Sequence, residues 1–413
     1  MLLFALVVSA GLSSCPDLTS VNGEADSSTP PHDAARDGAA DAGVDAASIS
    51  DARRVESGIP DSGRRDAALG DATRSDGAAT DLRQTDTAFA DAGDPPVPTA
   101  PCGTDLDVHN GTVHPEFGVV PSGPIFTGDP IALGPLAILA VDATLPNPDS
   151  SRDSYSVTTY APSTDGANPD PGPFPLVVFT PGFSTTHRSY RHFIDHFASH
   201  GIAVLGVTPA QVGFFDEANN PANVGEVRAA IEWALVQSPL AGKIDLDKIA
   251  TAGHSQGGKL AFFTAAEDTR IKIVIGYDPQ NGGGPPCFIN PSACNQWPVA
   301  PNCDTERGVS DSGLMYKIRA ETLVLAARDT LVTPDQHLWA EHFYRGAPAP
   351  AHLAVFLEAG HADWTGSNAT SDASKRVGLA LLLTRFKGVS GLDSYLPDGS
   401  YLAGLPDMQI HNK

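Results

Sequence analysis

Lys248-Ile249-Ala250-Thr251-Ala252-Gly253-His254-Ser255-Gln256-Gly257-Gly258-Lys259-Leu260-Ala261-Phe262-Phe263-Thr264-Ala265-Ala266 is the stretch that decides how the chain is read. Residues 248–252 have the composition of a short buried strand, Gly253 ends it, and residues 256–266 have helical composition. Gly253-His254-Ser255-Gln256-Gly257 therefore matches G-x-S-x-G where a nucleophile elbow belongs, after a strand and at the start of a helix. The context gives the match its specificity, because a chain with 40 glycines produces bare hits by chance, and the bland reading is a Gly-rich helix start. Such a turn lifts the Ser255 hydroxyl above the sheet edge. The flanking glycines admit it because side chains there would collide with neighbouring backbone.

Outward from the elbow, from Pro101 on, short β-branched runs alternate with amphipathic stretches, the pattern of an α/β fold with a mostly parallel sheet and covering helices. Upstream, residues 154–160 alternate like a strand, and 176–179 form a fully apolar run broken by Pro181-Gly182. Residues 187–200 read as a helix, 202–207 as a buried strand, and 223–236 as a helix whose start resembles a capping box, Asn223 with Glu226. Downstream, residues 271–276 and 322–327 are buried strands separated by a Gly-, Pro- and Cys-rich insertion at about 279–315. Residues 334–344 form a helix with Thr333 as N-cap and Pro334 at its first position. Residues 352–357 look like the last strand and 371–386 like the closing helix.

A serine hydroxyl is a weak nucleophile, so it needs a base within hydrogen-bond reach and a carboxylate that fixes the base's tautomer. After an elbow serine the chain order is acid, then histidine. His361, in Ala359-Gly360-His361-Ala362-Asp363 beyond the last expected strand, is the best base among 13 histidines. His187, His192, His196 and His200 share one helical stretch and read as surface or capping residues. His254 is expected to point away from Ser255, and His337 and His342 sit on the late helix. Two aspartates follow buried strands, Asp278 and Asp329. Asp329 is preferred because it stands directly off a strand and ahead of a capped helix; Asp278, before Pro279, stays the alternative. The tetrahedral intermediate needs two backbone N–H donors, assigned to Gln256 and to Phe183 in the loop Thr180-Pro181-Gly182-Phe183-Ser184. The bland alternatives are a solvated loop carboxylate for Asp329 and an ordinary core aromatic for Phe183.

At these residues the chain resembles the bacterial cutinase-like polyester hydrolases, the chlorophyllases and the platelet-activating-factor acetylhydrolase-like esterases of the α/β-hydrolase superfamily, over about residues 126–386. The likeness rests on Pro181-Gly182-Phe183 after a buried strand, the elbow with its extra Gly258, Asp329, and Gly360-His361. It implies an α/β-hydrolase fold with helices on both faces of the sheet, and hydrolysis of carboxylic esters without metal or organic cofactor. In cutinase-like members the acid follows the strand corresponding to residues 322–327, which supports Asp329. In chlorophyllase-like and acetylhydrolase-like members it follows the preceding strand, where Tyr277-Asp278-Pro279 lies. The insertion departs from the compact cutinases and reads either as a lid or as a stapled surface loop. Trp297 and Trp364 read as cleft aromatics or as plain packing.

The 413 residues carry 49 acidic and 26 basic side chains, a net charge of −23 that makes nucleic acid an unsuitable partner. An apolar run over residues 1–10, followed by Leu12-Ser13-Ser14-Cys15, reads as a signal peptide (residues 1–15) and resembles bacterial lipoprotein signals whose Cys becomes lipidated. The run is too short to span a bilayer, and no Lys or Arg precedes it. The expectation is an exported protein, either a cell-envelope lipoprotein whose membrane contact is a lipid anchor at Cys15 or a secreted one. Residues 16–100 hold one aromatic, Phe89, and a net charge of −10, too little apolar surface to offset ordering entropy; a disordered tether is expected. Acidic residues recur there every fifth position from Asp51 to Asp91, a period that gives no continuous helical face. Residues 101–413 then form one catalytic domain. Cys102, Cys287, Cys294 and Cys303 are an even set in an exported chain, so disulfides are expected, with three pairings open. No C-x-x-C pair supports zinc.

The expected protein is thus a monomeric serine esterase acting on a small-molecule or polymeric ester. Two alternatives stand beside it: an amidase or peptidase on the same triad, and a non-catalytic surface binding module on a hydrolase scaffold.

Overall fold

A computed structural model describes residues 123–210, 220–280, 315–328 and 337–413 of the chain. The signal peptide, the tether, Cys15, Cys102, Cys287, Cys294, Cys303, Trp297, Asp329, the Thr333-Pro334 cap and nearly all of the insertion lie outside the described residues. The described strands are β1 (Ala137–Leu145), β2 (Tyr155–Ser163), β3 (Phe174–Thr180), β4 (Ala203–Thr208), β5 (Ile244–His254), β6 (Ile271–Tyr277), β7 (Glu321–Ala327), β8 (Ala351–Phe356) and β9 (Met408–Asn412). They form one sheet in the order β1-β2-β4-β3-β5-β6-β7-β8-β9. Strands β4-β3-β5-β6-β7-β8 are mutually parallel, whereas β1, β2 and β9 pair antiparallel with their neighbours.

The longer described helices are α1 (Arg191–Ser199), α2 (Asn220–Val236), α3 (Gln256–Glu267), α4 (His337–Gly346) and α5 (Ala369–Lys387). Strand alternation divides the apolar residues between two cores. Leu176 and Val178 of β3 face a core shared with Val224, Leu260 and Phe343, from α2, α3 and α4. Val177 and Phe179 face the other, shared with Phe193 of α1 and Val377 and Leu381 of α5. Covered on both sides, β3, β4, β7 and β8 are buried along their whole length, as their continuous apolar sequence requires. Each such Val, Leu or Phe contributes roughly 1.5–3 kcal/mol by burial. No described helix is long and apolar enough to cross a membrane.

The structure corrects several expectations. β1 and β9 were not anticipated: β1 lies at the sheet edge with half its residues exposed, and β9 is only five residues long. Residues 187–200 split into a 3-10 turn, His187–Tyr190, and α1. The start of α2 lies at Asn220, so Asn223 and Glu226 are inside the helix and form no cap. The Glu226 carboxylate instead accepts from Arg152 at 2.7 Å and from the Ala210 N–H at 2.8 Å, and Asn223 also accepts from Arg152. His187 and His196 are buried, not surface residues. His187 bridges the Thr208 and Thr158 hydroxyls, and burial lowers its pKa to about 4. Trp364 is fully buried and belongs to the core.

Candidate active site

The parallel strands end together, and their following turns carry the candidate residues. Thr180 of β3 pairs with Gly253 of β5, and His254 pairs with Tyr277 of β6. β5 stops at His254 and α3 starts at Gln256, leaving Ser255 between them at φ 57°, ψ −123°. A non-glycine residue there stores about 1–3 kcal/mol of strain and persists only when its surroundings over-determine it. Here they do. The Ser255 N–H donates to the Tyr277 carbonyl at 3.0 Å, and the Ser255 carbonyl accepts from the N–H of Gln280 at 3.0 Å and of Lys259 at 3.2 Å. A Cβ on Gly257 would fall on the Thr180 carbonyl, and one on Gly258 would stand 2.8 Å from Pro279 Cβ. The extra glycine of the elbow is the space in which α3 meets the turn after β6.

Ser255 Oγ lies 2.9 Å from His361 Nε2. His361 Nδ1 lies 2.5 Å from Asp278 Oδ2. With Nδ1–H donated to the carboxylate, Nε2 keeps its lone pair for the serine hydroxyl. Asp278 is fully buried, and its φ of 43° turns the side chain off the end of β6 toward the base. Its Oδ1 accepts from the Ala327 N–H at 3.2 Å, its Oδ2 from Gln280 Nε2 at 3.3 Å, and its own N–H donates to the Leu325 carbonyl at 2.6 Å. Of the two candidate acids, the alternative, Asp278, is the carboxylate found on His361 among the described residues. His361 offers one nitrogen on the side away from Ser255, and Asp278 holds it; Asp329 itself lies outside the described residues. The reason is positional: the Tyr277 carbonyl accepts from the Ser255 N–H, so the next residue stands beside the Ser255–His361 pair.

The loop after β3 lies against the nucleophile, since a Cβ on Gly182 would sit 3.4 Å from Ser255 Cβ. Thr180 Oγ1 ties the loop's start to the Gly257 carbonyl at 2.7 Å, and Ser184 adopts φ 56°. Phe183 and Gln256 are both half-buried; the Gln256 side chain donates to Asn220 Oδ1 at 3.2 Å. Three residues of the site were missed by sequence reasoning: Gln280, which bonds the acid; His254, which was set aside; and Tyr190, which was not considered. The signal for His254 was present. Ala250 and Ala252 face the α1/α5 core, so period-2 alternation sends the next side chain of that face, His254, toward Tyr190 and His361. His254 is 3% exposed, and burial, reinforced by His361 nearby, drives its pKa far below the usual histidine range.

Strand order, the strained serine between strand and helix, and the histidine and aspartate presented by later turns define an α/β-hydrolase. More particularly, the chain belongs to the chlorophyllase family, whose sequence model matches residues 150–379, more than half of it. It is similar to chlorophyllase type 0 of Chenopodium album, 27% identical over 207 residues that make up 46% of this chain and 56% of that protein. Chlorophyllase-2 of Arabidopsis thaliana is 27% identical over 205 residues, 46% of this chain and 61% of its own. Bis(hydroxyethyl) terephthalate hydrolase of Streptomyces coelicolor is 23% identical over 237 residues, 57% of this chain and 65% of its own. The chain thus spans between half and two thirds of the length of the curated relatives it matches.

Proposed function

We propose that the protein is a serine hydrolase that cleaves carboxylic esters through an acyl-enzyme. The observation that carries the reading is the hydrogen-bonded line from Ser255 through His361 to Asp278, with the serine on a strained elbow. Ser255 Oγ adds to the ester carbonyl while its proton passes to His361 Nε2. The carbonyl π pair moves onto oxygen, where the N–H groups of Phe183 and Gln256 receive it. Collapse of this adduct breaks the bond to the alkoxy oxygen, which takes the His361 proton and leaves as the alcohol. Water then adds to the acyl-enzyme, giving a proton to His361, and the second collapse releases the carboxylic acid and returns that proton to Ser255. Asp278 holds the imidazole in the required tautomer and stabilises the imidazolium in both halves. The similarity to chlorophyllases and to a terephthalate ester hydrolase supports an ester substrate.

A fluorophosphonate probe tests the chemistry: the wild type is covalently labelled and Ser255→Ala is not. A wild type that takes no label sinks the reading. A p-nitrophenyl ester chain-length series run beside a polyester film then sorts small from polymeric esters.

A further inference from the structure

We infer that Tyr190 and His254 are a positioning pair that ties the backbone bearing the catalytic histidine to the loop bearing the oxyanion donor. The inference rests on the ester-hydrolase reading and deepens it. Three hydrogen bonds run in series: Gly182 N–H to Tyr190 Oη at 3.2 Å, Tyr190 O–H to His254 Nδ1 at 2.8 Å, and His254 Nε2–H to the His361 carbonyl at 2.8 Å.

Their directions are forced. A carbonyl oxygen only accepts, so the proton of a neutral His254 sits on Nε2 and its Nδ1 only accepts. Tyr190 must then donate its single proton to Nδ1, which leaves its lone pairs for the Gly182 N–H. Burial keeps His254 neutral, and a protonated ring would break the sequence by turning Nδ1 into a second donor to Tyr190. The packing leaves no slack. The His254 ring lies 4.7 Å from the His361 ring, 5.6 Å from that of Tyr190 and 6.3 Å from that of Trp364, which is itself fixed by a 2.9 Å bond to Ser374 Oγ. A Cβ at position 182 would stand 3.0 Å from Tyr190 Oη and 3.3 Å from His254 Nδ1.

Two consequences follow for the reaction. Gly182 spends its N–H on Tyr190 and so is not the loop's donor to the oxyanion. The base is held by its own main chain as well as by Asp278, and an uncharged ring beneath it leaves the imidazolium of the reaction free of a neighbouring cation.

The test exploits the geometry of amides: the amide nitrogen of Gln falls near the imidazole Nε2 and the amide oxygen of Asn near Nδ1. His254→Gln therefore keeps the donor to His361 and gives up Tyr190, whereas His254→Asn does the reverse. With p-nitrophenyl acetate, His254→Gln is expected to keep kcat within about 10-fold of wild type and His254→Asn to lose about 100-fold, KM moving little in either, because a small misplacement of a reacting group costs about that much. Tyr190→Phe is expected to lower kcat about 10-fold, and the His254→Gln/Tyr190→Phe double variant to be no worse than His254→Gln alone, the mark of coupled residues. Thermal midpoints are measured alongside. Equal kcat losses for Asn and Gln, losses that simply follow the midpoints, or additive effects in the double variant overturn the inference. If both His254 variants fail to fold, Tyr190→Phe decides, and wild-type kcat in it overturns the inference. A wild type blank to fluorophosphonate would instead remove the ester-hydrolase reading itself.

Discussion

Glu321, the first residue of β7, and Asp278, the residue after β6, are both fully buried and both bonded to a histidine, at opposite ends of the same pair of strands. At the Glu321 end, Arg385 adds two bonds to the carboxylate, at 2.8 and 3.1 Å, and the remaining nitrogen of His352 is taken by Asn412 at 2.7 Å. Burial raises the Glu321 carboxyl, but the bonds from His352 and Arg385 outweigh it and hold the pKa below its ordinary value. Every valence there is spent on holding β7, β8, α5 and β9 together. At the Asp278 end, the other donors are the uncharged N–H groups of Ala327 and Gln280, and the second nitrogen of His361 faces a hydroxyl. A third histidine, His187, has only hydroxyls and stays neutral in the fold. The same residue types thus make the line on which the proposed proton relay rests, a structural clamp or a passive core group. What decides is whether a guanidinium has already claimed the carboxylate and whether the second nitrogen meets a group that reacts.

The comparison breaks most sharply at Asp278. Asp278→Asn should lower kcat about 10⁴-fold by destabilising the working tautomer. Steady-state ester turnover measures this, with circular dichroism to show a folded protein. Glu321→Gln should do the opposite: it should reduce unfolding free energy in urea by about 3 kcal/mol, because Arg385 is left beside a neutral partner. Turnover of the folded fraction should stay within about 3-fold of wild type, since the clamp lies far from the reacting atoms. A large turnover loss with unchanged stability would erase the distinction between the two ends.

His187 gives a smaller, pH-dependent effect. Its folded pKa is depressed to about 4, so the unfolded chain binds the proton first and the neutral folded form is favoured above the unfolded value. The stability it contributes is fully present above about pH 6.5 and is lost as pH falls from there toward 4, up to about 3 kcal/mol. His187→Gln should flatten the slope of urea stability between pH 7 and pH 5; an unaltered slope would show that His187 is not the group that titrates. Smallest of all, Asp329→Asn should change kcat by less than about 2-fold, because Asp278 already fills the one nitrogen an acid needs. A loss as deep as that of Asp278→Asn would return the acid to Asp329.

The elbow, the histidine that meets Ser255 and the loop after β3 were legible in the sequence because each is fixed by local chemistry: glycines around a serine, a histidine after the last parallel strand, a Pro-Gly break after an apolar run. The fold class was legible for a similar reason, since strands buried on both faces are continuously apolar. The acid was not. Asp278 and Asp329 present the same local pattern, a carboxylate after a buried strand, and only the pairing of β6 beside β5 separates them. β1 and β9 escaped because edge strands need little apolar sequence. Tyr190 escaped because it meets His254 only through tertiary packing across 64 residues of chain.

Gly258 and Pro279 touch closely enough that no side chain fits between them. The turn carrying Ser255 and the turn carrying Asp278 are therefore one mechanical part. Enlarging either position would shift Ser255 and Asp278 at once, so the two turns have to be redesigned together.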